Sequence, residues 1–331
     1  MIPKIAFTLG DMNGVGTEVI LKTLAAKNFL NSLHPILIGP EYIWKLTAKK
    51  HKLNFKFNTY NFEDSDKKDT VSILNLEPLE KISYGKVSAK SGALSIHSIQ
   101  MAYKLINQNF ADAMVTAPIS KEAINLANFH YDGHTGYLAS ISNNKNICMV
   151  LLNDIMRVGL VTTHLPISEV SKQITQSAIL KKIMILNRCL QTDFKIKRPS
   201  IAVLSLNPHA GDGGILGMEE KKIIIPAIKK AISEKINIDG PFPSDSFFAR
   251  YKPNSYDAIL SMYHDQGLIP LKMTDNNRGV NFTAGLSFIR TSPDHGTAFD
   301  IAGKGKADYS STLAATELAI KLIHLKKEKV K

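Results

Sequence analysis

The sequence predicts an α/β protein built on a mostly parallel, doubly wound sheet with helices on both faces. Three observations lead there. Short runs rich in Val, Ile and Leu alternate with longer stretches of helical apolar spacing. The runs are nearly continuous in apolar residues, as expected of strands buried on both faces. Several break into Gly, Pro or Asp, as a buried strand does on entering a loop. In chain order the expected strands are Ile5–Leu9, His34–Ile38, Val71–Leu74, Ala113–Thr116, Ile147–Leu152, Gly159–Thr163, Ile201–Leu206 and Ala258–Tyr263. Helical spacing marks Gly16–Leu24, Ala93–Asn107, Ser120–Asn125, Glu169–Leu190, Glu219–Ser233 and Thr312–Leu325. Ser168 is the expected cap of the helix that begins near Val170. The polar stretch 61–70, NFEDSDKKDT, reads as an exposed loop, and no repeat or low-complexity linker divides the chain.

Composition narrows the function classes. The 331 residues are 44% hydrophobic and 21% charged, ordinary values for a soluble globular chain of one large or two medium domains. No apolar stretch approaches the ~20 residues that span a bilayer. The start, MIPKIAFTLGDMNG, lacks signal-peptide form, so the cytoplasm is the expected compartment. Two cysteines, Cys148 and Cys189, argue against a disulfide framework. The net charge of +12 comes mainly from scattered lysines, with only six arginines and no basic stripe interleaved with aromatics. Nucleic-acid binding is therefore not expected, while an acidic small substrate is favoured.

Three histidines carry the chemistry. His164 in VGLVTTHLP, His209 in AVLSLNPHAGDGG and His264 in AILSMYHDQG each lie just past an apolar run. Open α/β sheets bind ligands outside the carboxyl ends of their strands. Three imidazoles delivered there suit a divalent metal with open coordination positions. Asp265 is a candidate brace for the neighbouring imidazole, or a cap for the next turn. Asp245 in PFPSDSFF is a candidate metal-linked carboxylate or general base, with an Asx turn as its structural alternative.

A second constellation suits an anion. KMTDNNRGVNFTAGLSFIR supplies Lys272, Arg278, Asn281 and Arg290, and a buried arginine needs an anionic partner. Upstream, DGHTGYLA sets His134 and Thr135 between glycines, placed to meet a ligand or to satisfy local backbone. The N-terminal loop TLGDMNGVGTE matches neither the dinucleotide fingerprint nor the P-loop. It reads equally as a tight strand-to-helix turn or as a place where backbone amides meet an anion.

The segment TSPDHGTAFDIAGKGKAD, 291–308, resembles the isocitrate and isopropylmalate dehydrogenase superfamily near its NAD(P) site. Together with GHTGYL, TTHLP, LNPHAGDGG, MYHDQGL and RGVNFTAGL, it resembles the 4-hydroxythreonine-4-phosphate dehydrogenase family along almost the whole chain. The resemblance implies two α/β/α domains around a central cleft, approximately 1–130 with 291–331 and 131–290, in a homodimer that shares each active site. It implies His164 and His209 as metal ligands from one subunit and His264 from the other, with zinc, magnesium or cobalt as the ion. Imidazole ligation itself leans toward zinc or cobalt. His134, Thr135, Lys272, Asn281 and Arg290 would hold the phosphorylated amino acid. Asp294, His295, Gly296 and Thr297 would approach NAD or NADP. Asp245 or Lys272 would relay a proton during oxidation of 4-phosphooxy-L-threonine, followed by loss of CO2. A related four-carbon acid phosphate, threonate or erythronate phosphate, is the alternative substrate. The family's N-terminal loop reads closer to G-E-P-A-G-I-G, whereas this chain has Gly10-Asp11-Met12-Asn13-Gly14-Val15-Gly16 and lacks the proline.

Overall fold

Apolar runs become strands here because helices on both sides remove their side chains from water. The computed structural model describes residues 2–26, 29–62, 69–77, 81–144, 146–274 and 276–328. The chain opens with β1 (Lys4–Thr8), α1 (Gly16–Ala25), β2 (His34–Ile38), α2 (Glu41–Lys50), β3 (Phe57–Thr59) and β4 (Val71–Leu74). It continues through α3 (Ala89–Asn107), β5 (Ala113–Thr116), α4 (Lys121–Leu126) and α5 (His134–Ile141). Next come β6 (Cys148–Leu152), β7 (Arg157–Leu160), α6 (Ile167–Gln173), α7 (Gln176–Thr192), β8 (Ser200–Leu204) and α8 (Ile225–Ser233). The remainder is β9 (Asn237–Phe242), α9 (Ser244–Ala249), β10 (Ala258–Ser261), α10 (His264–Thr274), β11 (Val280–Ala284), β12 (Ile289–Pro293) and α11 (Ser310–Lys327).

Two compact units emerge, Met1–Ser142 with Ser287–Val330, and Asn143–Leu286. The expected domains, 1–130 with 291–331 and 131–290, are offset from these, so His134, Thr135 and Arg290 belong to the first unit. In that unit the strand order is β3-β4-β2-β1-β5-β12, with every pairing parallel. Ile5, Phe7, Ile36, Leu37 and Ile38 are fully buried there, each contributing about 1.5–3 kcal/mol.

The second unit orders its strands β11-β6-β7-β10-β8-β9. β6 runs antiparallel to β11 and β7, while the remaining pairs are parallel. Leu151, Val158, Leu160, Leu204, Ile259, Leu268 and Leu271 form its core, with Phe242, Phe247 and Tyr251 against it.

Three expectations need correction. The helix expected over 169–190 is two helices, because Ile174 is extended and Thr175 starts a new one by accepting from Ala178 N at 3.1 Å. Ser168 therefore lies inside α6, whose capping position is Pro166. The helix expected from Glu219 opens with a π-turn at Glu220–Ile224 before α8. The segment after β10, where the apolar run is expected to enter a loop, is helical from His264. A Cβ on Gly267 would sit 2.5 Å from both Ser261 Oγ and Val158 Cγ1, so this glycine lets α10 lie directly on β7 and β10. Part of the loop expected over 61–70 falls outside the described residues.

Candidate active site

The sheet order explains why the histidines share an edge. β10 lies between β7 and β8 and is parallel to both. Their carboxyl ends therefore face one way, and His164, His264 and His209 follow them. The β7 and β10 paths stay paired beyond the strands. Val161 N donates to Ser261 O at 2.9 Å, while Thr162 N and Oγ1 donate to Met262 O at 3.1 and 2.7 Å. Two residues further on each path, the rings of His164 and His264 stand with centroids 5.9 Å apart. His264 Nδ1 bonds Asp265 Oδ1 at 2.7 Å, which orients the imidazole and leaves Nε2 for a ligand. This donor pair fits a borderline divalent ion. Among the described residues of one chain, no three His, Cys, Asp or Glu side chains gather to hold an ion. His209 reaches the same edge without joining the pair.

The His209 loop has unusual backbone. Five consecutive residues, His209 to Gly213, are left-handed, with φ values of 51, 53, 78, 42 and 64°. Each non-glycine residue there costs about 1–2 kcal/mol. Glu220, buried at 2% exposure, secures the entry to this loop. Its Oε1 accepts from Leu206 N and Asn207 N, and its Oε2 accepts from Asn207 Nδ2, all within 2.9 Å. Sequence reasoning missed Glu220, because nothing local separates it from the other charged residues of its helix.

Asp245 is exposed on α9 and helps line a cavity of about 280 Å³ with Ser244, Phe248, Tyr263, Asp265 and Gln266. Lys272 is exposed on α10, and Asn281 lies on β11 with a buried Oδ1 that meets no hydrogen-bond donor among the described residues.

In the first unit, Arg290 is 1% exposed on β12. Because Arg290 pairs with Met114 of the parallel neighbour β5, its guanidinium reaches Thr116 two residues along. Nε and Nη2 donate to Thr116 Oγ1 at 3.1 and 2.7 Å. Burial pushes Arg290 down to about 9, which still leaves it cationic at neutral pH. Thr116, a polar residue closing the apolar strand AMVT, was also missed by sequence reasoning.

His134 and Thr135 open α5, both half-buried. Burial, then the Arg290 charge, pushes His134 well below the ordinary imidazole range, against a raising hydrogen bond to the Ala117 backbone. Its Nε2 is buried without a partner among the described residues. The folded state therefore disfavours the protonated ring, while the unfolded chain takes up that proton near pH 6.5. The resulting stability is full above pH 6.5 and is lost as pH falls toward the folded value. Urea midpoints measured at pH 7 and pH 5 should drop less for His134→Gln than for the natural chain. Equal drops would remove His134 as a source of the acid sensitivity.

Asp294 to Thr297 follow β12 and pack on the N-terminal loop. Val15 N donates to Thr297 O at 3.0 Å, and a Cβ on Gly14 would lie 2.8 Å from that same oxygen. Asp11 is turned inward, accepting from Asn13 N at 2.9 Å and Ser91 Oγ at 3.0 Å, and burial raises its pKa. Asn13 ties the loop to residues 83–86 through Ser83 N, Gly85 N and Lys86 O. Asp11 thus shapes the turn. Gly296 has open space around its Cβ position, and His295 Nε2 is buried without a partner among the described residues, features that fit a ligand-binding loop.

Known proteins match this arrangement over its length. The family model described as Pyridoxal phosphate biosynthetic protein PdxA matches residues 31–319. The 4-hydroxythreonine-4-phosphate dehydrogenase of Bacteroides thetaiotaomicron is 42% identical over 319 residues, covering 96% of this chain and 88% of that protein. A protein of Oceanobacillus iheyensis, provisionally named a D-threonate 4-phosphate dehydrogenase, is 39% identical over 326 residues, covering 97% and 98%. The crystal structure of a 4-hydroxythreonine-4-phosphate dehydrogenase from Klebsiella pneumoniae has a TM-score of 0.87 at 35% identity, covering 97% and 99%. An isocitrate dehydrogenase from Methylococcus capsulatus is similar in fold alone, with a TM-score of 0.51 at 11% identity. The match across both units, together with histidines past the ends of three neighbouring strands, places the chain in the pyridoxal phosphate biosynthetic PdxA family.

Proposed function

We propose that this chain is an NAD(P)-dependent 4-hydroxythreonine-4-phosphate dehydrogenase. The observation that carries the reading is the near-full-length match to relatives of that name. In the reaction, the C3 hydroxyl of 4-phosphooxy-L-threonine is oxidised to give 2-amino-3-oxo-4-phosphobutanoate. The oxidation releases a hydride, which a bound nicotinamide would accept, and the hydroxyl proton, which leaves to a base. Loss of CO2 then takes up one proton and yields 3-amino-2-oxopropyl phosphate.

His164, His209 and His264 would hold a divalent metal, and residues 294–297 would meet the dinucleotide. When bound, the ion supplies Lewis acidity at the hydroxyl and the nicotinamide accepts the hydride. The chain's own groups do the rest. Arg290, His134 and Thr135 bind the anionic substrate, with Lys272 and Asn281 as further contacts. A neutral His134 serves as a hydrogen-bond donor or acceptor without adding charge. Asp245 is the favoured proton acceptor because its cavity also contains Asp265, the residue that braces His264. Lys272 is the other candidate for that relay.

A homodimer that shares its metal ligands is part of the proposal. Exposed apolar side chains follow each histidine along the chain: Leu165 and Ile167, Ile215 and Leu216, Ile269 and Met273. Exposed apolar side chains on the segments that carry the histidines are consistent with a surface covered by a partner.

The second reading, a D-threonate 4-phosphate dehydrogenase, is favoured by the Oceanobacillus relative. These substrates differ at C2, an amine against a hydroxyl. Following reduced nicotinamide with each, in the presence of zinc or cobalt, separates the readings. Turnover at least about tenfold more efficient with 4-phosphooxy-L-threonine is expected. Equal or greater efficiency with D-threonate 4-phosphate would shift the assignment, and no nicotinamide reduction with either would remove both.

A further inference from the structure

We infer that Gln266 is the positioning residue that holds the three histidine segments and Asp245 in one register, an assignment that rests on the metal-dependent reading above. Gln266 lies in the first turn of α10, and its side chain is buried at 8% exposure. Its Oε1 accepts from Met262 N at 2.6 Å, and its Nε2 donates to Ser205 O at 2.5 Å and Ser244 Oγ at 2.7 Å. The partners dictate this amide orientation, since a peptide N–H requires the carbonyl oxygen and a peptide C=O requires the NH2.

Each partner is a short step from a candidate functional group. Met262 precedes His264 by two residues, Ser205 precedes His209 by four, and Ser244 directly precedes Asp245. The fourth segment is reached through the other side of the same residue, because Met262 O accepts from Thr162 N and Oγ1, two residues before His164. Two strand ends and the start of α9 therefore meet at one buried amide, and the end of β7 joins them through Met262. Gly267 makes the approach possible by bringing α10 against the strands. A hydrophobic residue of equal size would fill the volume but leave Met262 N–H and Ser205 C=O unsatisfied.

The test uses the full-length metal-free protein titrated with Co2+, read by affinity and by visible absorption, with thermal unfolding in parallel. Gln266→Glu keeps the acceptor for Met262 N and sets a carboxylate oxygen against the Ser205 carbonyl. Gln266→Met removes every bond. Both should weaken Co2+ binding by roughly 10–100-fold and change the absorption bands. In steady-state assays kcat should fall while the dinucleotide KM holds. Asp257→Asn serves as the structural comparison. Asp257 Oδ2 accepts from Ser200 N and Oγ at the opposite ends of the same strands, so its loss should lower stability and leave the spectrum unchanged.

Unchanged Co2+ affinity and bands in folded Gln266→Glu would overturn the assignment. So would an equal spectral change in Asp257→Asn. His264→Ala separates the two levels: if it binds Co2+ as the natural chain does, the metal reading itself fails and takes this inference with it. If His264→Ala loses Co2+ and the Gln266 variants do not, only the positioning role falls.

Discussion

Replacing His264 by alanine should lower turnover by about 10³-fold or more while the protein stays folded. The first half follows from the share of the chemistry proposed for the metal. Lewis acidity at the reacting oxygen contributes several kcal/mol, and each 1.36 kcal/mol is tenfold in rate. The second half follows from position. The His264 side chain is 37% exposed at the start of a helix, so truncation opens no core cavity. Its stability cost should stay within about 0.5 kcal/mol. The measurement is bound zinc or cobalt per subunit, turnover and a urea midpoint on the same preparation. Full turnover after thorough chelation would reject the metal assignment. His164→Ala should behave alike, since its ring stands beside that of His264.

Mixing inactive subunits then tells how ligands divide between chains. If His164 and His209 belong to one subunit and His264 to the other, a His164→Ala and His264→Ala heterodimer regains one intact site. If His164 and His264 act together in one subunit, recovery comes instead from mixing His164→Ala with His209→Ala. No recovery in either verified heterodimer would sink the shared site.

Arg290→Ala should raise the KM for the phosphorylated substrate by roughly 100-fold and leave dinucleotide affinity near its natural value. Charge-assisted hydrogen bonds contribute about 1.5–3 kcal/mol, and the planar fork delivers them in pairs. Arg290→Lys keeps the charge without the fork and should recover only part of the loss. The pH profile adds a signature. With Arg290 at about 9 in the free protein, kcat/KM should decline as pH rises through that value, because the deprotonated fork no longer binds an anion. Arg290→Lys should move that limb. Equal losses in substrate and dinucleotide binding would mark Arg290 as a structural residue.

Much of this was legible before any coordinates. The strands His34–Ile38, Val71–Leu74 and Ala113–Thr116 lie where their apolar runs lie, because burial on both faces leaves a strong local signal. The histidines could be assigned to strand ends for the same reason. What escaped had its cause elsewhere in the chain. β12 carries Arg290 as the second residue of IRTSP, a polar-looking strand that is buried by its neighbours. Helix α10 contains Gly267 and Pro270, ordinarily breakers, and is sustained by packing on β7 and β10. Glu220 is a surface-looking charge whose burial depends on backbone donors more than ten residues upstream. Such roles arise from tertiary hydrogen bonding, which residue type and spacing do not encode.

The placement of β10 between β7 and β8 also governs where the molecule tolerates change. Every histidine-bearing loop leaves the sheet at one rim, whereas the stretches entering β8 and β10, around 193–199 and 250–257, approach from the opposite rim. Insertions there would lengthen a connector without displacing an imidazole. A single residue gained or lost between Ser261 and His264 would rotate the ring away from its neighbour. Length variation should thus be permissive on one side of this unit and forbidden on the other.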